Sequence, residues 1–230
     1  MSKHTAKGAL GAKQWYLVAY NTAQLAGWGS AAYLTLHALV RHEGGDAVCK
    51  MAGRIVGLCQ LAALMETVHT VAGLTRGSVL LSFLQWFGRS NVLFLILRSI
   101  PELWSHWAVP VLFLAWALAD MARYPWYAWA QFQSPPHWLT WLRYSAFIPL
   151  YPLGILGGEM PLIWSGLPYI SQRKLHSLEM PNSVNFAFSY HTFAQVGLFV
   201  LIPLAFLQLY TYMLQQRSKR LADVSVKGIR

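Results

Sequence analysis

Two residues of this chain, Tyr151 and Glu159, stand out as a possible acid–base pair. Both lie in Arg143–Trp164, RYSAFIPLYPLGILGGEMPLIW, a stretch long and apolar enough to cross a bilayer. It is an odd span, because it holds two prolines nine residues apart, Pro152 and Pro161, with three glycines between them. A charged side chain at membrane depth costs roughly 2.5–3.5 kcal/mol on insertion scales, so such a residue marks a functional site by default. No Lys or Arg lies within a helical turn of Glu159 in the sequence, so no local ion pair accounts for it. A phenol and a carboxylate within reach of one another supply an acid and a base without a metal or cofactor. Taken alone, Tyr151 also fits an interfacial belt residue, the weaker of its two readings.

Other ionisable residues fall in the apolar blocks. Glu66 and His69 are spaced i,i+3 on one helix face. They suit an acid–base or ligand pair, or a polar pair satisfied inside a bundle. No HExxH or His-rich spacing points to a metal. Asp120 and Arg123 are also i,i+3, with Tyr124 beside them, and mutual neutralisation is the usual way for a span to carry charge. Arg89 and Arg76 are candidates for an anionic ligand, since guanidinium binds phosphate bidentately. Arg76, near a membrane face, reads first as a topology-setting or snorkelling charge. Asn21, Thr22 and Gln24 make the first span unusually polar, and Gln85 and Asn91 accompany Arg89 on the third. The eleven tryptophans, Trp116 among them, cluster near span ends and are read as belt residues.

These groups must be held by membrane helices. Of 230 residues, 56% are hydrophobic and 11% charged, against about 25% charged in a soluble domain. The apolar blocks run to about 20 residues, the length that spans a hydrocarbon core. The expected fold is an all-α integral membrane bundle of about six transmembrane helices. Residues 1–14 form a basic N-terminal tail, 15–214 the membrane domain and 215–230 a basic C-terminal tail. The spans begin near Trp15, Ala52, Val79, Trp107, Arg143 and Phe186. Gly27 and Gly29 in the first allow close helix contact. The Lys/Arg bias places both termini in the cytosol. The net charge of +10 sits in loops and tails, not in a stripe interleaved with aromatics, which argues against nucleic acid. Cys49 and Cys59 form no CxxC pattern, and neither is followed by Arg six residues later. That excludes CX5R phosphatase chemistry and gives no indication of a disulfide, redox or zinc site.

From Trp15 to Leu221 the chain resembles the 3-hydroxyacyl-CoA dehydratases of fatty-acid elongation, the protein-tyrosine-phosphatase-like A group. The resemblance rests on YLVAYNTAQLAGW, LMETVHTVAGLTRGSVLLSFLQWFGR, WALADMARYPWY, RYSAFIPLYPLGILGGE and MPNSVNFAFSY, in that order. It implies a multi-pass enzyme of the endoplasmic reticulum membrane that dehydrates a (3R)-3-hydroxyacyl-CoA to a trans-2-enoyl-CoA. This is the third step of very-long-chain fatty-acid elongation. Implied partners are the elongase condensing enzyme, the 3-ketoacyl-CoA reductase and the trans-2-enoyl-CoA reductase. The implied catalytic pair is the Tyr of the YPxG motif and the Glu after it, here Tyr151 and Glu159, with no cofactor. The acyl chain is expected in a tunnel within the bundle, and the CoA phosphates at a basic rim of Arg76, Arg143 and the tails. A catalytically inactive membrane scaffold of the same fold is the alternative. A small transporter lacks the inverted repeats such folds show.

The chain departs from the family in two places. The family spacing from Tyr to Glu is usually seven residues, and here it is eight. At about 100° per residue, seven steps return nearly to the same face, while eight land about 80° away. A bulge or unwound turn within Gly154–Gly158 is therefore expected, with both side chains facing the bundle interior. Asp120 also stands where the family usually has Glu.

Overall fold

The computed structural model describes residues 11–183 and 185–228. They form rods of helix: α1 (Ala12–Val40), α2 (Gly44–Ala62) continued by α3 (Leu64–Val71), and α4 (Val79–Ser90) continued by a π-helical segment Asn91–Leu97. The next is α5 (Ala108–Trp129). A fifth rod strings together α6 (His137–Ser145), α7 (Phe147–Gly154), a π-helical segment Ile155–Glu159 and α8 (Met160–Arg173). The last is α9 (Tyr190–Val196), a π-helical segment Gly197–Leu201 and α10 (Ile202–Gly228).

Four rods are long and apolar enough to cross a membrane: Gly44–Val71, Val79–Leu97, His137–Arg173 and Tyr190–Ala222. The other two, α1 and α5, are the polar centre of the bundle, and their mutual contact is the most extensive between any two helices. Their hydropathy is lowered by the residues that carry the polar network, such as Asn21 and Gln24 on α1 and Asp120 and Arg123 on α5. Buried polar groups need partners, and Asn21, Gln24 and Thr35 of α1 find them in backbone carbonyls, while Arg123 Nε on α5 is left without one. Gln24 donates to the Cys59 carbonyl at 3.2 Å, Asn21 to Leu17 at 2.6 Å and Thr35 to Ala31 at 2.8 Å. Gly27 allows α1 to approach α2, since a Cβ there would sit 2.4 Å from Cys59 Sγ. Gly29, expected to do the same, faces open space.

Several boundaries differ from the sequence reading. The fifth rod extends from His137 to Arg173, well beyond Arg143–Trp164 at both ends. The last begins at Tyr190 rather than Phe186 and continues through Gly228, so the basic segment after 214 is helical. At the far end of the bundle Arg173 pairs with Glu102 in the turn Pro101–Leu103. The hydrogen bond from that guanidinium holds the Glu102 carboxyl below its usual range.

The fifth rod stays helical through Pro152 because a partner repairs the break. Pro152 has no N–H to give the carbonyl four residues back, and the Tyr210 hydroxyl of α10 donates to that Ile148 carbonyl at 3.2 Å. Further along, Gly158 lets the π-helical segment lie directly on α5. A Cβ there would meet Leu112 Cα at 3.0 Å and Leu112 Cδ1 at 2.8 Å. Gly158→Leu is expected to push the segment off α5 and destabilise the fold by about 1–3 kcal/mol, the usual cost of overpacking. Thermal unfolding in detergent checks this, with Gly29→Leu as the neutral comparison.

Candidate functional site

The π-helical segment Ile155–Glu159 falls where the eight-residue spacing asks for a bulge. It absorbs the additional residue, so Glu159 turns back toward the bundle. The Glu159 carboxylate accepts a hydrogen bond from Trp116 Nε1 of α5 at 3.0 Å. Trp116 is 2% exposed; its indole therefore belongs to the interior and not to an interfacial belt. The same correction applies to Trp28, which is fully buried, and to Trp86, whose Nε1 donates to the Gln60 carbonyl at 3.0 Å.

Tyr151 lies on the α10 side of the same rod. Its ring stacks on Phe206 at 5.4 Å and Tyr210 at 6.2 Å, within 10° of parallel in both cases. Three stacked rings hold the phenol by apolar contact. Arg89 lies over the Trp116 ring, 5.2 Å from its centroid. Residues from α4, α5 and the fifth rod thus converge at Trp116 and the Glu159 carboxylate.

Behind this pair runs a ladder of alternating charge. Arg89 meets Asp120 at 2.7 Å, Asp120 meets Arg123 at 2.8 Å, and Arg123 meets Glu66 at 2.9 Å. Tyr124 donates to the same Glu66 oxygen at 2.5 Å. Two guanidinium and two carboxylate groups balance, which is how a bundle interior keeps charges. Asp120 therefore does more than neutralise Arg123 along its own helix, because it joins Arg123 to Arg89. The shorter Asp side chain reaches both guanidiniums. Arg89, read as a possible ligand for an anion, is engaged here. Glu159 has no direct ion pair among the described residues.

The i,i+3 pair Glu66–His69 has separate partners. His69 Nε2 is hydrogen-bonded to the Tyr16 hydroxyl at 2.8 Å, and its ring sits edge-on to Tyr16 and Tyr20. Arg143 is likewise occupied. It donates to the Tyr127 hydroxyl at 2.9 Å and lies over the rings of Trp126, Tyr127 and Tyr144. A basic rim including Arg143 is thus reduced to other residues. Asn21, Glu66, His69, Arg76, Gln85 and Arg123 meet around one polar cavity of about 280 Å³. No three His, Cys, Asp or Glu side chains converge among the described residues.

Sequence reasoning missed Trp116, Phe206 and Tyr210. Tyrosines and tryptophans are so common at span ends that composition does not separate a belt ring from an interior one. One available signal was Pro152, whose missing N–H requires a donor from another rod. Trp116→Phe keeps the ring and removes the N–H. We expect its kcat to fall about tenfold with KM held, and no further fall when it is combined with Glu159→Gln. Steady-state kinetics of the single and double variants check this.

The chain is similar to known proteins along most of its length. Residues 60–223 match the family model described as protein tyrosine phosphatase-like protein, PTPLA. The chain is 33% identical over 207 residues to the mouse very-long-chain (3R)-3-hydroxyacyl-CoA dehydratase 2, covering 90% of this chain and 81% of the mouse protein. It is 36% identical over 208 residues to the rice (Oryza sativa subsp. japonica) very-long-chain (3R)-3-hydroxyacyl-CoA dehydratase PASTICCINO 2B, covering 90% and 93%. To the Arabidopsis thaliana very-long-chain (3R)-3-hydroxyacyl-CoA dehydratase PASTICCINO 2 it is 34% identical over 208 residues, with the same shares. No solved structure matches the chain.

Proposed function

This chain belongs to the protein tyrosine phosphatase-like (PTPLA) family of very-long-chain (3R)-3-hydroxyacyl-CoA dehydratases, and on that premise we propose that Tyr151 and Glu159 are its catalytic pair. The reaction is dehydration of a (3R)-3-hydroxyacyl-CoA to a trans-2-enoyl-CoA and water, the third step of very-long-chain fatty-acid elongation. The enzyme is a hydro-lyase. The observation that carries the assignment is the π-helical segment that turns Glu159 onto Trp116.

β-Elimination of water requires removal of the α-proton and protonation of the departing hydroxyl. The thioester acidifies the α-proton, and a positioned base completes its removal. Glu159 is the base and Tyr151 the donor to the leaving hydroxyl, in keeping with the ordinary acidities of a carboxyl and a phenol. Trp116 positions the base. The charge ladder, itself balanced, fixes Arg89 over the Trp116 ring that holds Glu159.

The acyl chain lies in an open groove of about 480 Å³ that is apolar apart from His106 and Ser165, with Leu156, Met160, Trp164 and Phe199 among its walls. Leu156 and Met160 flank Glu159 in the sequence. Six spans fit the architecture. At about 1.5 Å per residue, α1 with 29 residues and α5 with 22 are about 43 and 33 Å long, against a core of about 30 Å. An even number of spans puts both termini on one side, the cytosolic one, of the endoplasmic reticulum membrane. The substrate comes from a 3-ketoacyl-CoA reductase acting after the condensing enzyme. The product goes to a trans-2-enoyl-CoA reductase.

The test is purified protein with 3-hydroxyacyl-CoA substrates of graded chain length, following enoyl-CoA by mass spectrometry. Turnover that depends on Tyr151 and Glu159 supports the reading. Folded wild-type protein inactive at every length sinks it in favour of a scaffold.

A further inference from the structure

The polar cavity is separate in character from the apolar groove, and neither Tyr151 nor Glu159 lines it. Its walls come from α1, α3, α4 and α5 and are rich in hydroxyl and amide groups, among them Asn21, Thr70, Ser78, Ser82 and Gln85. Such a lining suits a ligand with amides and hydroxyls, not a hydrocarbon tail.

The free charge at its mouth is positive. Glu66 is paired with Arg123. Arg76 is exposed, and no carboxylate among the described residues pairs with it. Lys13 stands beside the same turn, with Nζ 3.5 Å from the Gly73 carbonyl. The N-terminal end of α4, with Ser78 as its cap and Leu81 in its first turn, lines the cavity, adding the positive end of a helix dipole. An anionic group is therefore favoured at the mouth.

The α4 and α5 walls of the cavity lead to the charge ladder. On α4, Leu81 and Gln85 line it, and Arg89 follows one turn further on. On α5, Tyr127 and Arg123 line it, and Asp120 and Trp116 follow. From Ser78 to Arg89 the helix rises about 16 Å, which is comparable to an extended pantetheine arm.

We propose that this cavity holds the phosphopantetheine arm of the acyl-CoA substrate, with Arg76 and the first turn of α4 on the phosphate groups and Gln85 toward the thioester. The assignment rests on the dehydratase reading above. It gives the substrate two separate seats, a polar one for its head and an apolar one for its tail.

The experiment compares wild type with Arg76→Gln and Gln85→Leu on a 3-hydroxyacyl-CoA and on the matching pantetheine thioester, which lacks the phosphates. Arg76→Gln is expected to raise KM for the CoA thioester about tenfold with kcat unchanged, and to leave KM for the pantetheine thioester where it was. Gln85→Leu is expected to raise KM for both. Equal effects of Arg76→Gln on the two substrates overturn the proposal. Equilibrium binding of free CoA, read without turnover, is expected to weaken about tenfold in Arg76→Gln and to be unchanged in Glu159→Gln. Absence of CoA binding by wild type, or equal binding by Arg76→Gln, also overturns it. Arg76-dependent CoA binding without dehydration would sink the dehydratase reading and leave the cavity assignment standing.

Discussion

Glu159→Gln is expected to lower kcat for dehydration by about 10²–10⁴-fold, the range for loss of a general acid or base. Glutamine is nearly isosteric and still accepts the Trp116 N–H bond seen at 3.0 Å, so the fold survives. What is lost is a group able to take the α-proton. Tyr151→Phe should fall in the same range, because phenylalanine keeps the stack on Phe206 and Tyr210 and removes only the hydroxyl. The double variant should be little worse than either single one, as for residues that act as a unit. Initial rates of enoyl-CoA formation, with melting temperature in detergent recorded alongside, check this. A Glu159→Gln enzyme with more than a third of wild-type kcat would remove Glu159 from the reaction.

The largest stability effect is expected at Asp120. Its carboxylate is 3% exposed and binds Arg89 through one oxygen and Arg123 through the other. Asp120→Ala leaves two guanidinium groups facing each other with one remaining carboxylate, Glu66, on the far side of Arg123. Breaking a buried pair by removing one partner costs about 3–5 kcal/mol, because the other charge stays buried without compensation. Asp46→Ala is the comparison. Its pair with Lys50 is 49% and 65% exposed, so its loss should cost under about 1 kcal/mol. Unfolding free energies in mixed micelles measure both. Equal costs at the two sites would mean that solvent reaches the ladder freely. Dehydration should fall as well in Asp120→Ala, since Arg89 loses the contact that fixes it over Trp116, the residue hydrogen-bonded to Glu159.

The Asp120 ladder also marks where sequence reading stops. Asp120 and Arg123 are neighbours on one helix, and their pairing follows from the i,i+3 rule. Arg89 lies 31 residues from Asp120, and Glu66 lies 57 from Arg123. Periodicity says which face of its own helix a residue occupies. It does not say which neighbouring helix that face meets, so the sequence offers four candidate charges and no ladder. The same reason separates Glu66 from His69: both face inward, but toward different rods. Arg143 looked like a free rim charge because the tyrosine that binds it, Tyr127, is on another helix.

What the chain's order of residues determined by itself is the chemistry and its frame: apolar blocks long enough to span, a carboxylate and a phenol inside one of them, and a spacing one residue too long for a regular helix. That last feature forced a local answer, because eight steps of about 100° cannot share a face, and the π-helical segment Ile155–Glu159 is that answer. The tertiary structure alone decided what Glu159 meets once it turns inward. Gly158 brings the segment onto α5 at Leu112, which sets Trp116 within hydrogen-bonding distance from 43 residues away. A hydrogen bond between rods depends on their separation and rotation to within a few tenths of an ångström, and those quantities are set by the packing of the whole bundle.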